Sequence, residues 1–127
     1  MNVLSLFDGM SCGQIALKNL GIKIDSYHAS EIDKWAVKIA KKNHPDMIHI
    51  GDVRDVQASD LPQIDLILAG SPCQDLSLAG KGAGLEGERS SLFYEFVRLL
   101  VDLKHIGFST ESKQAVLDKH TSVRSAR

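Results

Sequence analysis

The sequence predicts an α/β fold, with four parallel strands in the order 3-2-1-4 and helices on both faces of the sheet. Three observations support this. Short apolar runs alternate with amphipathic segments, the signature of βαβ construction. The runs are followed by glycine-bearing or polar turns at their carboxyl ends, and parallel crossovers are right-handed, which limits the possible strand orders.

Val3 to Phe7 reads as a buried strand. Asp8-Gly9-Met10-Ser11-Cys12-Gly13 is a turn, and Ile15, Ala16, Leu17 and Leu20 fit one face of a helix closed by Gly21. Ile24 to Ala29 forms a second strand. Ile32 to Asn43 repeats the helical pattern, with Trp35, Ala36, Ile39 and Ala40 expected inward, and stops before Pro45. Met47 to Ile50 is a third strand, and Ile64 to Ala69 a fourth, central one ended by Gly70-Ser71-Pro72. Residues 75 to 90 hold four glycines without periodicity and predict a functional loop. Ser90 or Ser91 caps a last helix from Leu92 to about Lys104, with Phe93, Phe96, Val97, Leu100 and Val101 as its apolar side.

A length of 127 residues bounds the chain to one domain. No apolar run approaches the roughly 18 residues of a membrane span. The start Met1-Asn2-Val3-Leu4-Ser5 lacks the basic and apolar regions of a secretory signal, so a reducing cytoplasm is expected, with Cys12 and Cys73 as free thiols. Net charge is −1 with a pI of about 6.5, which gives no general attraction to phosphate. The stretch from Lys113 to Arg127 carries four basic residues against one acidic and reads as a solvated terminus.

The chemistry gathers at the ends of the apolar runs. Phe7-Asp8-Gly9 followed by Gly13 places a glycine turn between strand and helix, where backbone N–H groups meet a ligand directly. Its spacing is not that of the dinucleotide fingerprint. Glu31, about twenty residues on, stands where a carboxylate accepts from both hydroxyls of a ribose; by itself it also fits a helix-start carboxylate. Gly51-Asp52-Val53 adds a polar position at the same sheet edge. Cys73, on Gly70-Ser71-Pro72-Cys73-Gln74, is placed as a nucleophile if its thiolate is accessible, although a lone cysteine is more often structural. Cys12 reads as a packing residue. No metal is expected.

Leu4-Ser5-Leu6-Phe7-Asp8-Gly9, Ser30-Glu31-Ile32-Asp33, Gly51-Asp52-Val53, Gly70-Ser71-Pro72-Cys73-Gln74 and Arg89-Ser90-Ser91-Leu92-Phe93-Tyr94-Glu95-Phe96 resemble, in order, the first five motifs of DNA (cytosine-5)-methyltransferases. The resemblance covers residues 2 to about 104 and implies a Rossmann-like fold dependent on S-adenosyl-L-methionine (AdoMet), with bacterial, phage or prophage origin. Asp75-Leu76-Ser77 is similar to the eukaryotic de novo branch and some phage relatives. By this resemblance Phe7, Asp8, Gly9 and Gly13 line the methionine and ribose of AdoMet, and Glu31 takes the ribose hydroxyls. Ile32 and Val53 sandwich adenine, Asp52 accepts from its amine, and Pro72 and Leu92 complete the pocket. Cys73 adds to cytosine C6, which lets C5 take the methyl group; loss of the C5 proton then expels the thiol. The target base in double-stranded DNA must be flipped out for this. Gln74, Ser77, Gly80 and Arg89 fall on the substrate side, and the loop from Ala79 to Glu88 closes over the base.

The family's later Glu-Asn-Val, Gln-x-Arg-x-Arg and target-recognition segments are not found, and residues 105 to 127 read as a tail of unknown origin. Residues 1 to 104 are therefore expected to form a truncated AdoMet-binding and catalytic-cysteine half with no activity alone. Its alternatives are one chain of a split enzyme, or a non-enzymatic interaction protein. A cysteine hydrolase is disfavoured, because His28, His44, His49, His105 and His120 show no triad spacing. The outer edge of the fourth strand, apolar from Ile64 to Ala69, is expected to drive self-association.

Overall fold

The computed structural model describes residues 1–70 and 92–106. Strands β1 (Asn2–Leu6), β2 (Ser26–Ser30), β3 (Ile48–Gly51) and β4 (Leu66–Ala69) form one parallel sheet in the order β3-β2-β1-β4, as the alternation of apolar runs predicts. β1 is interior: Val3 partners Tyr27 on one side and Leu66 on the other. All four carboxyl ends consequently meet at one edge. Among the described residues β4 pairs only with β1.

The two-residue period of β1 serves two cores. Leu4 and Leu6 pack with Val53, Val56, Ala58 and Ile64 beneath helix α3 (Leu92–His105). Val3 points the other way, to Tyr27, Ala29, Leu66, Leu17 of helix α1 (Cys12–Asn19) and Ala40 of helix α2 (Lys34–Asn43). Full burial of each large aliphatic side chain contributes about 1.5–3 kcal/mol, so a strand apolar on both faces belongs at the centre.

The helices sit on the expected faces of the sheet but are turned about their axes. On α1 only Leu17 is buried, while Ile15, Ala16 and Leu20 are exposed. The reason is Gly13, which brings the start of α1 so close to the sheet that the inward line runs through residues 13 and 17. Cys12, the first residue of α1, is exposed and free rather than packed. On α2 the small Ala36 and Ala40 let the helix approach, which leaves Trp35 (63% exposed) and Ile39 on the flank. Lys34 and Lys38 lay their ammonium groups over the Trp35 ring. Asp33 caps α2 by accepting from the Trp35 and Ala36 amides at 2.8 and 3.0 Å.

On α3 the inner line is Leu92, Phe96, Leu99 and Leu103, whereas Phe93, Val97 and Val101 are exposed. The helix carries two apolar stripes. Arg98 selects between them, because its guanidinium donates from Nη2 to the carbonyls of Val53 and Val56 at 3.1 Å each. No helix among the described residues is long and apolar enough to cross a membrane.

Candidate functional site

The residues after β1, β2 and β3 converge because parallel strands end together. Phe7, Gly9 and Ser11 all take left-handed backbone, at φ 57°, 61° and 63°. For glycine this is free; for Phe7 and Ser11 it costs on the order of 1–3 kcal/mol each. Three links hold the turn. The Asp8 amide donates to the Ser30 carbonyl at 3.1 Å, the Ser11 amide to the Asp8 carbonyl at 3.2 Å, and the Gly9 amide to Glu31 Oε2 at 2.8 Å.

Glu31 is the hub between the first two strand ends. Its Oε1 accepts from the Ile32 and Asp33 amides at 2.9 Å each, so its carboxylate already holds three backbone N–H groups. A carboxylate offers about four acceptor positions, and one remains for a hydroxyl of a ribose. The Glu31 backbone is fixed as well: its amide donates to the Gly51 carbonyl at 3.1 Å, and its carbonyl lies 2.9 Å from His49 Nε2, which fits a donating ring N–H. Ser30 Oγ donates to the same Gly51 carbonyl at 2.9 Å. Gly51, at φ 81°, sits beside the register shift in the β2–β3 pairing.

Asp52 caps the following turn, Val53–Asp55, by accepting from the Arg54 amide at 2.9 Å. The Arg54 guanidinium grips the same carboxylate, with Nη2 2.6 Å from Oδ2, and this hydrogen bonding holds the Asp52 acid below the ordinary carboxylate range. An incoming amine would share Asp52 with Arg54. Ile32, 68% exposed, offers an apolar surface beside Glu31, while Val53 is only 4% exposed and belongs to the core under α3. Val53 thus presents little of itself to a ligand. Phe7 and Leu92 are half-buried against that same core.

Asp8 is engaged within the protein. Its carboxylate faces inward and accepts from Ser5 Oγ at 2.5 Å, Tyr27 Oη at 2.8 Å and Ser11 Oγ. Gly13 is likewise set by packing: a Cβ there would lie 2.6 Å from Leu68 Cδ1 and 2.7 Å from Tyr27 Oη. Ser5, Ser11, Tyr27, His49 and Arg54 support the site without a sequence signal, since single hydroxyls, rings and a lone surface arginine carry no spacing pattern. Pro72, Cys73, Gln74, Ser77, Gly80, Arg89 and the loop from Ala79 to Glu88 lie outside the described residues.

With a glycine turn, a carboxylate hub that keeps one acceptor position and an aspartate at three successive strand ends, similarity to known proteins becomes informative. The family model for C-5 cytosine-specific DNA methylase matches residues 1–122. The chain belongs to this family. The matched stretch runs beyond Phe96, where the fifth motif ends, and beyond Lys104 as well. Orphan methyltransferase M.SPRI of Bacillus phage SPR is 36% identical over 120 residues, covering 93% of this chain and 27% of that protein. Type II methyltransferase M.NgoBV of Neisseria gonorrhoeae is 34% identical over 118 residues, covering 90% of this chain and 28% of its own length. The chain thus spans little more than a quarter of these two curated relatives. A crystal structure of Spodoptera frugiperda DNMT2 shares the fold, with a TM-score of 0.64 at 23% identity over 80% of this chain and 32% of that one.

Proposed function

We propose that residues 1 to 104 form the AdoMet-binding and catalytic-cysteine part of a cytosine-5 methyltransferase acting on DNA. The observation that carries this reading is the tie between Gly9 and Glu31, which presents a glycine turn and a ribose-type acceptor at one sheet edge. The residues fit the cofactor. Glu31 keeps one acceptor position, Gly9 leaves open space on its Cα among the described residues, and Ile32 offers an exposed apolar face. When bound, AdoMet supplies an electrophilic methyl group. In this reading Cys73 is the nucleophile toward cytosine C6, and Gln74, Ser77, Gly80 and Arg89 serve the flipped base.

Calorimetry with S-adenosylhomocysteine tests the cofactor half of the proposal; no binding at millimolar concentration favours a non-enzymatic interaction protein instead. Tritiated AdoMet with mixed-sequence duplex tests the chemistry. Methyl transfer by the chain alone is expected to be undetectable. Its appearance on mixing with a second chain, and its loss in Cys73→Ser, would identify a two-chain enzyme. Self-association across the outer side of β4 and a cytoplasmic location complete the proposal. Sedimentation at micromolar concentration checks the former, and a stable monomer counts against it.

A further inference from the structure

We infer that Tyr27 is a positioning residue of the glycine turn: through Asp8 it holds the segment from Phe7 to Ser11, with its three left-handed residues, in the conformation that meets the cofactor. What the turn binds rests on the reading above; that Tyr27 holds the turn does not.

Tyr27 stands on β2, 2% exposed, on the face covered by α1 and α2. Its hydroxyl runs beside the bare Cα of Gly13 to donate to Asp8 Oδ1 at 2.8 Å. Ser5 of β1 shares that oxygen, and Ser11, immediately before α1, donates to the other. One carboxylate therefore collects hydroxyls from β1, from β2 and from the entry to α1. Ser11 spends its side chain on Asp8 and makes no side-chain cap on α1, although it stands at the N-cap. The unfavourable backbone of Ser11 is thus tied to Asp8, and Asp8 to the sheet.

Of the three donors, Tyr27 has the most rigid reach. A serine hydroxyl rotates freely, whereas the phenol oxygen is fixed by a ring packed among Val3, Ala29 and Leu17. Burial, opposed by the Ser5 hydrogen bond and reinforced by the Asp8 charge, pushes the phenol above its ordinary range, so it remains a donor at any physiological pH. The space that Gly13 leaves open is the passage for this hydroxyl, which connects two otherwise separate features of the sequence.

A residue that only packs and one that positions are separated by Tyr27→Phe, which keeps the ring and removes one oxygen. The experiment measures amide exchange and S-adenosylhomocysteine affinity for the full chain as wild type, Tyr27→Phe, Asp8→Asn and the double variant. In Tyr27→Phe, exchange at Gly9, Ser11 and Gly13 is expected to rise about tenfold while the amides of Leu4 and Leu6 stay within about twofold. Affinity is expected to fall about fivefold to twentyfold, and Tyr27→Phe should add nothing to Asp8→Asn. Unchanged turn amides, an equal rise throughout β1, additive losses of affinity, or full affinity despite a loosened turn would each overturn the inference. If wild type binds no S-adenosylhomocysteine while the turn amides still respond, the cofactor reading falls and the holding role of Tyr27 stands.

Discussion

The Gly9 amide donates to Glu31 Oε2 across 2.8 Å, tying the turn after β1 to the end of β2. Glu31→Ala strands the amides of Gly9, Ile32 and Asp33 together. The expected result is a loss of about 1–3 kcal/mol in urea unfolding and a drop of about tenfold or more in S-adenosylhomocysteine affinity by calorimetry. Equal affinity in both proteins would remove Glu31 from the proposed cofactor site.

Gly13 and Gly70 separate packing from open space. Gly13→Ala drives a methyl group to 2.6 Å from Leu68 Cδ1, whereas a Cβ on Gly70 meets nothing within 4 Å among the described residues. Overpacking of this kind costs about 1–3 kcal/mol, and a free surface site stays within about 0.5 kcal/mol. Urea midpoints for the two variants check the contrast.

The rotation of α3 makes a similar pair. Leu99→Ala empties a fully buried position and is expected to cost about 2–5 kcal/mol, while Val101→Ala, exposed, stays within about 0.5 kcal/mol. The reverse ranking would restore the face read from periodicity.

His28, on the buried β2, is held below its ordinary pKa of 6.5 by desolvation. Its neutral form is favoured by folding, so the unfolded chain takes up the proton first as pH falls. The contribution is fully present above about pH 6.5 and is lost as pH drops through the lower folded value. Chemical unfolding from pH 7.5 to 5 should show wild type losing stability more steeply than His28→Gln; parallel curves would count against this role for burial.

Strand order and the positions of Glu31 and Asp52 were legible because they depend on chain-local patterns: apolar runs, and polar residues at their ends. Helix faces were not. Val97 and Leu99 are equally apolar, and the choice between them is made by Arg98 reaching carbonyls more than forty residues away in sequence. On α1 and α2 the inward line follows Gly13, Ala36 and Ala40, whose small size permits close approach where hydrophobicity alone would favour Ile15, Trp35 or Ile39. The internal bonds of Asp8 were hidden for a different reason. A carboxylate beside a glycine turn suits a ligand, and nothing in the spacing reveals three hydroxyls already spent on it.

The two bonds from Arg98 to the Val53 and Val56 carbonyls divide the cradle by the order in which a growing chain could complete it. The Gly9–Glu31 corner uses residues within the first third of the sequence, so it closes over short loops. The Asp52 corner, whose turn is capped locally, gains its long-range tie only from α3, through Arg98 on the Val53 and Val56 carbonyls. A ligand gripping both corners would therefore report that the amino-terminal half and the last described helix have found each other.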